Sequence, residues 1–214
     1  VLGGGVVPGS IILLAGEPGI GKSTLLLQIA QDFAAGNHKV LYISGEESPH
    51  QIKRRSQRLG FNGDGIYLLS QTDVDEIIGK LEEVRPELVI VDSIQTLYTD
   101  DITSGPGNVG QVRECGLRLM HWAKSRDAPI LLAGHMTKDG SVAGPRVLEH
   151  MVDTVMYLEA QDINGYRMLR SGKNRFGSTT EVGIFDMSEK GLLEVDDPRK
   201  CCCPRDMSNQ LEQY

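Results

Sequence analysis

The chain has 214 residues, 40% of them hydrophobic and 24% charged, a balance that predicts one globular domain with a large core. No apolar run approaches the roughly 20 residues that cross a bilayer, so we expect no membrane partner. The net charge of −7 does not favour general affinity for the DNA backbone, so any nucleic-acid contact must come from local basic loops.

The two ends of the chain and its cysteines carry weaker signals. The chain begins at Val1 without an initiating methionine, and we expect it to be a piece of a longer protein. Three of the four cysteines are consecutive, Cys201 to Cys203, whereas zinc sites need separated ligand pairs. No disulfide framework is indicated, and a reducing compartment is expected.

Strands and helices alternate over the first 133 residues. Continuous apolar runs predict buried strands at Ser10–Ala15, Val40–Ser44, Gly65–Ser70, Leu88–Asp92 and Pro129–Ala133. Apolar spacing and capping residues predict helices at Lys22–Ala35, Ser48–Leu59, Asp73–Val84 and Gln111–Ser125. Shorter, alternating strands follow at Asp153–Glu159, Tyr166–Ser171, Glu181–Asp186 and Leu192–Val195. The pattern predicts an α/β fold with a mostly parallel central sheet, flanking helices and antiparallel strands at the C-terminal end.

Two segments are predicted to be loops, and one to be a tail. Thr99–Gly110 is rich in glycine and aspartate and predicts a mobile loop, and Met136–Pro145 predicts a second one. We expect a single domain over residues 1–196. Residues 197–214 are polar and are expected to be a disordered tail.

A phosphate-binding loop connects the first strand to the first helix. The run from Gly16 to Ser23 matches G-x-x-x-x-G-K-[ST], whose glycines let backbone N–H groups surround phosphate oxygens. Lys22 is predicted to reach the β and γ phosphates and Ser23 to bind Mg²⁺. The residues predicted to bind ATP are Gly16, Glu17, Pro18, Gly19, Ile20, Gly21, Lys22, Ser23 and Thr24.

Polar residues follow three other predicted strands. Asp92 ends an apolar strand and is predicted to hold the Mg²⁺ shell. Glu46 and Glu47 follow Val40–Ser44, and carboxyl ends of adjacent strands meet at one sheet edge. Glu46 is our candidate for the base that activates water, with Glu47 as the alternative. His135 is predicted to contact the γ phosphate, although a buried structural role is the alternative.

The sequence resembles the RadA/Sms family of DNA-repair ATPases, relatives of the RecA and DnaB cores. The resemblance rests on the phosphate loop and on five further segments: Tyr42–Ser48, Val89–Thr96, Ala133–Gly140, Ala143–Glu159 and Lys173–Gly177. The last two, AGPRVLEHMVDTVMYLE and KNRFG, are the most specific. The resemblance implies a RecA-like, DNA-dependent ATPase that acts in DNA repair and recombination as a branch-migration motor, with ATP and Mg²⁺ as its cofactors.

The same resemblance implies partners and further site residues. It implies a homo-oligomeric ring, a hexamer, on single-stranded DNA, with a RecA-type recombinase as a further partner. Lys173 and Arg175 are then predicted to reach the γ phosphate held by a neighbouring subunit. Lys138 and Arg146 are the predicted DNA contacts. Bacterial cytoplasm, or an organelle of bacterial descent, is the expected compartment.

One alternative function stays open at this point. A KaiC-like ATPase uses the same core as a nucleotide-regulated assembly switch that does not act on DNA. The predicted DNA loop Thr99–Gly110 contains Asp100 and Asp101 but no lysine or arginine, which leaves this alternative in place.

Overall fold

The computed structural model describes residues 1–2, 4–136, 147–161 and 165–195. The predicted tail and the predicted DNA contacts Lys138 and Arg146 lie outside the described residues. The strands are β1 Ile11–Gly16, β2 Val40–Ser44, β3 Ile66–Leu69, β4 Leu88–Asp92, β5 Ile130–His135, β6 Thr154–Ala160, β7 Arg167–Asn174, β8 Val182–Ser188 and β9 Gly191–Glu194. The helices are α1 Lys22–Ala35, α2 Pro49–Arg58, α3 Val74–Val84 and α4 Val109–Arg126, with a 3₁₀ turn at Ile94–Thr96.

All nine of these strands form one sheet in the order β3-β2-β4-β5-β1-β6-β7-β8-β9. The strands from β3 to β6 in that order pair in parallel, and β6 to β9 pair antiparallel. The predicted fold class is therefore confirmed. The expectation that Glu46 follows a strand adjacent to β1 is wrong, because β4 and β5 lie between β1 and β2.

The sheet is covered on both faces, which explains the continuous apolar runs of its central strands. Along β1, Ile11 and Leu13 pack on the side of α3 and α4, whereas Ile12 and Leu14 pack on the side of α1. Both sets are at most 2% exposed. Every strand that ends near the phosphate loop is thus held between two layers of helices.

Three of the four helices begin with a side-chain cap, and for α2 the sequence predicts it. The Ser48 hydroxyl accepts from the Gln51 amide, and the Gln51 side chain accepts from the Ser48 amide, a reciprocal capping box. Asp73 caps α3, and Asn108 caps α4. Helix α1 begins at Lys22 and has no side-chain cap, since its N-cap residue is Gly21.

The segment before α4 is more ordered than its composition suggests. Helix α4 begins at Val109, so Gly110 lies inside the helix and not in a loop. The Gln111 side chain donates to the carbonyl oxygens of Thr99, Ile102 and Ser104 at 2.8–3.1 Å and accepts from the Thr99 amide at 2.9 Å. The expectation of a mobile loop is therefore wrong for residues 99–104, because the side chain of one buried glutamine forms hydrogen bonds with four of their backbone groups.

Candidate active site

The phosphate loop is built where β1 ends and α1 begins. Two of its glycines are required, Gly16 by a close contact with backbone and Gly21 by its own backbone conformation. A Cβ atom on Gly16 would lie 2.5 Å from the Leu158 carbonyl oxygen, and one on Gly21 would lie 2.5 Å from the Met187 methyl group. Gly21 also has φ of 116°, a conformation that side chains rarely adopt.

The missing cap of α1 leaves its first-turn N–H groups without a side-chain partner at the end of the loop. The first turn also contains no acidic residue that would compete with a bound anion. A helix N-terminus of this kind attracts phosphate through its N–H groups and its dipole. This contrast with the other three helices supports a phosphate-binding role for α1.

Lys22 is folded back over the loop. Its side chain is 3% exposed, and Nζ donates to the carbonyl oxygens of Gly16 and Glu17, each at 2.9 Å. Burial lowers the pKa of the Lys22 ammonium to about 8, and the charges of Asp92 and Glu46 oppose part of that shift. A nucleotide phosphate would supply the anionic partner that this buried ammonium lacks within the loop.

Asp92 ends β4 at the same edge of the sheet and is held by a residue that the sequence analysis did not identify. The Tyr42 hydroxyl on β2 donates to Oδ2 of Asp92 at 2.7 Å, in a buried contact. Burial, together with the charge and hydrogen bond of Asp92, raises the pKa of Tyr42, so the phenol stays a donor. The signal that could have found it is a tyrosine in an aliphatic strand, since a buried hydroxyl needs a partner.

The oxygen donors at this edge fit a magnesium ion. The Ser23 hydroxyl is half-buried at the start of α1, and Asp92 retains its second oxygen. Mg²⁺ prefers hard oxygen ligands and takes one or two protein groups beside substrate phosphates and water. Ser23 and Asp92 would hold the ion, as predicted from the sequence, and that role stays a prediction.

Glu46 lies close to this edge although two strands, β4 and β5, separate β1 from β2, the strand that Glu46 follows. Its Oε1 atom accepts from the Ser93 hydroxyl at 2.6 Å and contacts Nε2 of His135 at 2.8 Å. Burial alone would raise the pKa of Glu46, but these two hydrogen bonds and the charges of His135 and Lys22 lower it. Ser93, which is fully buried, was not identified from the sequence.

His135 is the last residue of β5, and its ring joins the site through Glu46. Its Nδ1 atom is buried and has no hydrogen-bond partner among the described residues. A ring with a proton on Nε2 donates to Glu46 and accounts for the 2.8 Å contact. The alternative that His135 is a purely structural residue is not favoured by this geometry, since the ring faces the candidate base.

Glu47 points elsewhere. Its carboxylate forms an ion pair with Arg55 of α2 at 2.5 Å, and its backbone contacts the Ser44 hydroxyl. Of the two acids considered from the sequence, Glu46 is therefore the one that the structure brings to the other site residues.

Lys173 and Arg175 lie at the opposite edge of the sheet from the phosphate loop. Arg175 pairs with Asp153 at 3.0 Å, and the other carboxylate oxygen of Asp153 accepts from the amide of Ile11, where β1 begins. Lys173 donates to the carbonyl oxygens of Glu149, His150 and Val152. Five residue steps of β1, roughly 17 Å, separate Ile11 from Gly16.

The C-terminal strands also contact the phosphate loop, which the sequence analysis did not foresee. Arg167, the first residue of β7, donates to the carbonyl oxygen of Ile20 at 3.2 Å. The Gln28 amide of α1 exchanges two hydrogen bonds of 3.0 Å with the backbone of Leu192 in β9. No motif spacing connects these residues, because the contacts depend on the antiparallel strands returning to α1.

The loop, the uncapped helix and the sheet order define a P-loop ATPase domain with a RecA-like core. A protein-family model described as AAA domain matches residues 1–141, and the chain belongs to that family.

More particular likenesses are to RadA proteins, as the sequence motifs indicated. The chain is 57% identical over 198 residues to the DNA repair protein RadA of Bacillus subtilis, covering 92% of the chain and 43% of that protein. It is 54% identical to the DNA repair protein RadA of Listeria monocytogenes over the same share of each. The predicted resemblance to this family is confirmed. The chain spans less than half the length of these relatives.

A solved structure supports the fold alone. The KaiC-like protein PH0186 of Pyrococcus horikoshii is 19% identical and superposes with a TM-score of 0.74, covering 90% of this chain and 92% of that one. Within the described residues, no helix combines the length and apolar character that a bilayer crossing requires.

Proposed function

We propose that this chain binds and hydrolyses ATP with Mg²⁺ as the motor domain of a DNA-repair and recombination ATPase. The observation that carries the proposal is the convergence of Lys22, Asp92 and Glu46 at one sheet edge beside an uncapped helix N-terminus. Each group supplies one requirement of phosphoryl transfer: charge on the phosphates, a metal ligand and a base for water. The relatives named DNA repair protein RadA supply the biological context.

In the proposed reaction, a water oxygen forms a bond to the γ-phosphorus while the bond to the β–γ bridging oxygen breaks. The electron pair of that bond leaves with ADP, and a proton of the water passes to Glu46. Lys22 moves from the loop carbonyls to the β and γ phosphates. Mg²⁺, when bound, neutralises part of the phosphate charge between Ser23 and Asp92.

The reaction is proposed to be completed by a neighbouring subunit. Arg175 is half-exposed at the amino edge of the sheet and is paired with Asp153, which bonds to Ile11, whereas the phosphate loop begins roughly 17 Å along β1 from Ile11. This placement argues against contact with its own γ phosphate and leaves the side chain accessible to another copy. A homo-oligomeric ring, hexameric in our proposal, would place Lys173 and Arg175 beside the adjacent nucleotide, and His135 would respond to the γ phosphate.

The DNA-related parts of the proposal rest on the relatives. We propose that single-stranded DNA binds through Lys138 and Arg146 and stimulates hydrolysis, that the ring drives branch migration, and that a RecA-type recombinase is a partner. Bacterial cytoplasm is the proposed compartment, or an organelle of bacterial descent. The loop Thr99–Gly110 contains no lysine or arginine, and Arg118 of α4 is already paired with Asp101 of this loop. The loop therefore offers no free cation to a DNA phosphate.

ATP hydrolysis measured with and without single-stranded DNA tests this proposal. We expect turnover that requires Mg²⁺, rises with DNA and is lost in Lys22→Ala but retained in Lys80→Ala, an exposed lysine of α3 paired with Glu83. Lys138→Ala and Arg146→Ala should each reduce the salt dependence of DNA binding by about one unit of slope. ATPase activity indifferent to DNA would favour the KaiC-like assembly switch instead.

A further inference from the structure

The hydrogen bonds to Glu46 are unevenly divided between its two carboxylate oxygens. Both Ser93 Oγ and His135 Nε2 contact Oε1, at 2.6 and 2.8 Å. The described residues make no hydrogen bond to Oε2. One oxygen of the carboxylate is therefore fixed by protein groups, and the other is left available for a water molecule.

Ser93 is held rigidly enough to set the direction of this carboxylate. It is fully buried, and its carbonyl oxygen accepts from the Thr96 hydroxyl at 2.8 Å and from the Thr96 amide at 3.2 Å. The backbone of Gly45, the residue before Glu46, is also held, because its amide donates to the carbonyl oxygen of Asp92 at 3.1 Å. Both backbones that flank the Ser93–Glu46 hydrogen bond are thus tied to the end of β4.

We propose that Ser93 is a positioning residue for hydrolysis, whose hydroxyl holds Oε1 of Glu46 so that Oε2 receives the proton of the attacking water. The inference rests on the proposed role of Glu46 as the base. The two donors to Oε1 differ in kind. His135 is half-buried at a strand end, whereas Ser93 has no exposed surface and no freedom to leave. Ser93 therefore keeps the carboxylate oriented when the histidine turns toward a γ phosphate.

The orientation matters because acid–base catalysis depends on the proton acceptor lying within hydrogen-bond reach of the water. Without the Ser93 hydroxyl, the carboxylate of an exposed side chain is free to rotate about its last torsion. In the proposed function, Lys22, the loop amides and Ser23 bind the nucleotide, and Ser93 takes no part in that binding. Loss of the hydroxyl should consequently lower kcat and leave nucleotide affinity unchanged.

The test compares Ser93→Ala with a pair of equal size, Ser93→Thr and Ser93→Val, of which only threonine keeps the hydroxyl. We expect kcat to fall roughly tenfold in the alanine and valine variants, a part of the 10²–10⁴-fold that positioned acid–base catalysis contributes, and to be largely restored by threonine. The KM for ATP, the affinity for a fluorescent ATP analogue and the half-saturating Mg²⁺ concentration should not change. Ser56→Ala, which removes another buried hydroxyl from α2, is the matched control.

A double-mutant cycle separates positioning from a structural role. In a Glu46→Gln background, Ser93→Ala should cause no further loss of turnover, because the two residues act as one unit. The proposal is overturned if Ser93→Ala keeps wild-type kcat, if Ser93→Val matches Ser93→Thr, if the loss is the same in both backgrounds, or if it follows a raised Mg²⁺ requirement through Asp92. Undiminished turnover in Glu46→Gln alone would instead overturn the proposed base.

Discussion

The two edges of the parallel sheet differ in how complete they are. At the carboxyl edge, β1, β2, β4 and β5 end in groups that already contact one another, such as Tyr42 with Asp92 and Glu46 with His135. At the amino edge, Lys173 and Arg175 contact only backbone carbonyls and Asp153 among the described residues. The first edge contains the candidate catalytic groups, and the second contains two cations at the other end of the strands.

Under our proposal, this difference would allow a single chain to be folded and still be unable to hydrolyse ATP on its own. Parallel strands send all their carboxyl ends to one edge, so the binding groups of one subunit assemble during folding. Strand β7 runs antiparallel to β6, so Lys173 near its end lies at the amino edge, about the length of a strand from that site. In the proposed ring, a second subunit would bring the two edges together, and hydrolysis would then depend on assembly.

The largest effect is expected from breaking each edge separately and then mixing the proteins. Lys22→Ala should abolish hydrolysis, and Arg175→Ala should lower it by roughly 10³-fold while ATP still binds, because a cation supplied in trans contributes on that scale. Mixed together, the two variants should regain partial activity at interfaces that pair an intact loop with an intact Arg175. Turnover of mixtures against protein concentration measures this.

The control for this prediction is Arg170→Ala, which removes a neighbouring cation of β7 that is paired with Glu159. It should leave turnover within about twofold of wild type, as expected for an exposed ion pair. Normal hydrolysis by Arg175→Ala at every concentration would refute the proposed role of Arg175 in a neighbouring active site. Arg175 would then be only the ion-pair partner of Asp153.

A smaller but still large effect is expected at the carboxyl edge from Glu46. Glu46→Gln should keep ATP bound while hydrolysis falls by roughly 10²-fold, the scale of a positioned base. Glu47→Gln is the matched control, since Glu47 is paired with Arg55 and should leave kcat almost unchanged. Single-turnover hydrolysis distinguishes the two, and the reverse ranking would show that the wrong acid was chosen.

Tyr42→Phe sharpens the description of the same edge with a milder change. The substitution removes only the hydroxyl that donates to Oδ2 of Asp92, so the carboxylate loses the group that orients it. We expect the half-saturating Mg²⁺ concentration to rise roughly tenfold, in line with outer-shell changes at other metal sites, with kcat at saturating Mg²⁺ nearly retained. A magnesium titration of ATPase activity that superposes on wild type would contradict the role of Asp92 as a metal ligand.

The smallest effect is a dependence of ATP affinity on pH. Because the pKa of Lys22 is lowered to about 8 in the free protein, the ammonium loses its proton as the pH rises through that value. Phosphate binding requires the charged form, so ATP affinity is nearly full at pH 7 and declines as the pH rises through about 8. The expected decrease between pH 7 and pH 8.5 is about fourfold. Titrations with a fluorescent ATP analogue measure it. Lys22→Arg, which stays charged, should show a flat profile.

The same shift fixes the sign of its effect on stability. The unfolded chain holds the lysine proton up to its ordinary pKa of 10.5, so between about pH 8 and that value the unfolded state binds more protons. The contribution of Lys22 to the free energy of unfolding therefore increases with pH across this window and is lowest below pH 8. Lys22→Met should remove this dependence in urea denaturation.

The parallel core was predictable from sequence because each of its elements is specified locally. The helix Lys22–Ala35 and the strands Val40–Ser44 and Leu88–Asp92 have the predicted bounds. In these segments a continuous apolar run or a helical stripe ends at a glycine, a proline or a polar residue. Strand β5 extends two residues beyond its prediction because Gly134 and His135 still pair with β1.

The sheet order and the contacts within the site were not predictable in the same way. In the sheet, β1 lies between β5 and β6, and two strands separate it from β2. This order depends on how the crossover helices pack and on no single residue. Tyr42 and Ser93 lie in two of the segments that carry the resemblance, but the sequence assigned neither a role. Their roles arise only when β2 and β4 pair in register and place Ser44 opposite Asp92. Gln111 likewise looks like an ordinary helical residue until three carbonyls converge on it.

The bond between Gln28 and Leu192 bears on where this unit of structure can be cut. The family model ends its match at residue 141, a boundary that follows shared sequence. The physical boundary is later, because α1 bonds to β9, Met187 lies against Gly21, and Arg167 braces the carbonyl of Ile20. A fragment that stops before Leu192 would keep every residue of the phosphate-loop motif and lose the β9 backbone that bonds to Gln28. For protein engineering, the portable unit should therefore include all nine described strands, the last of which ends at Glu194.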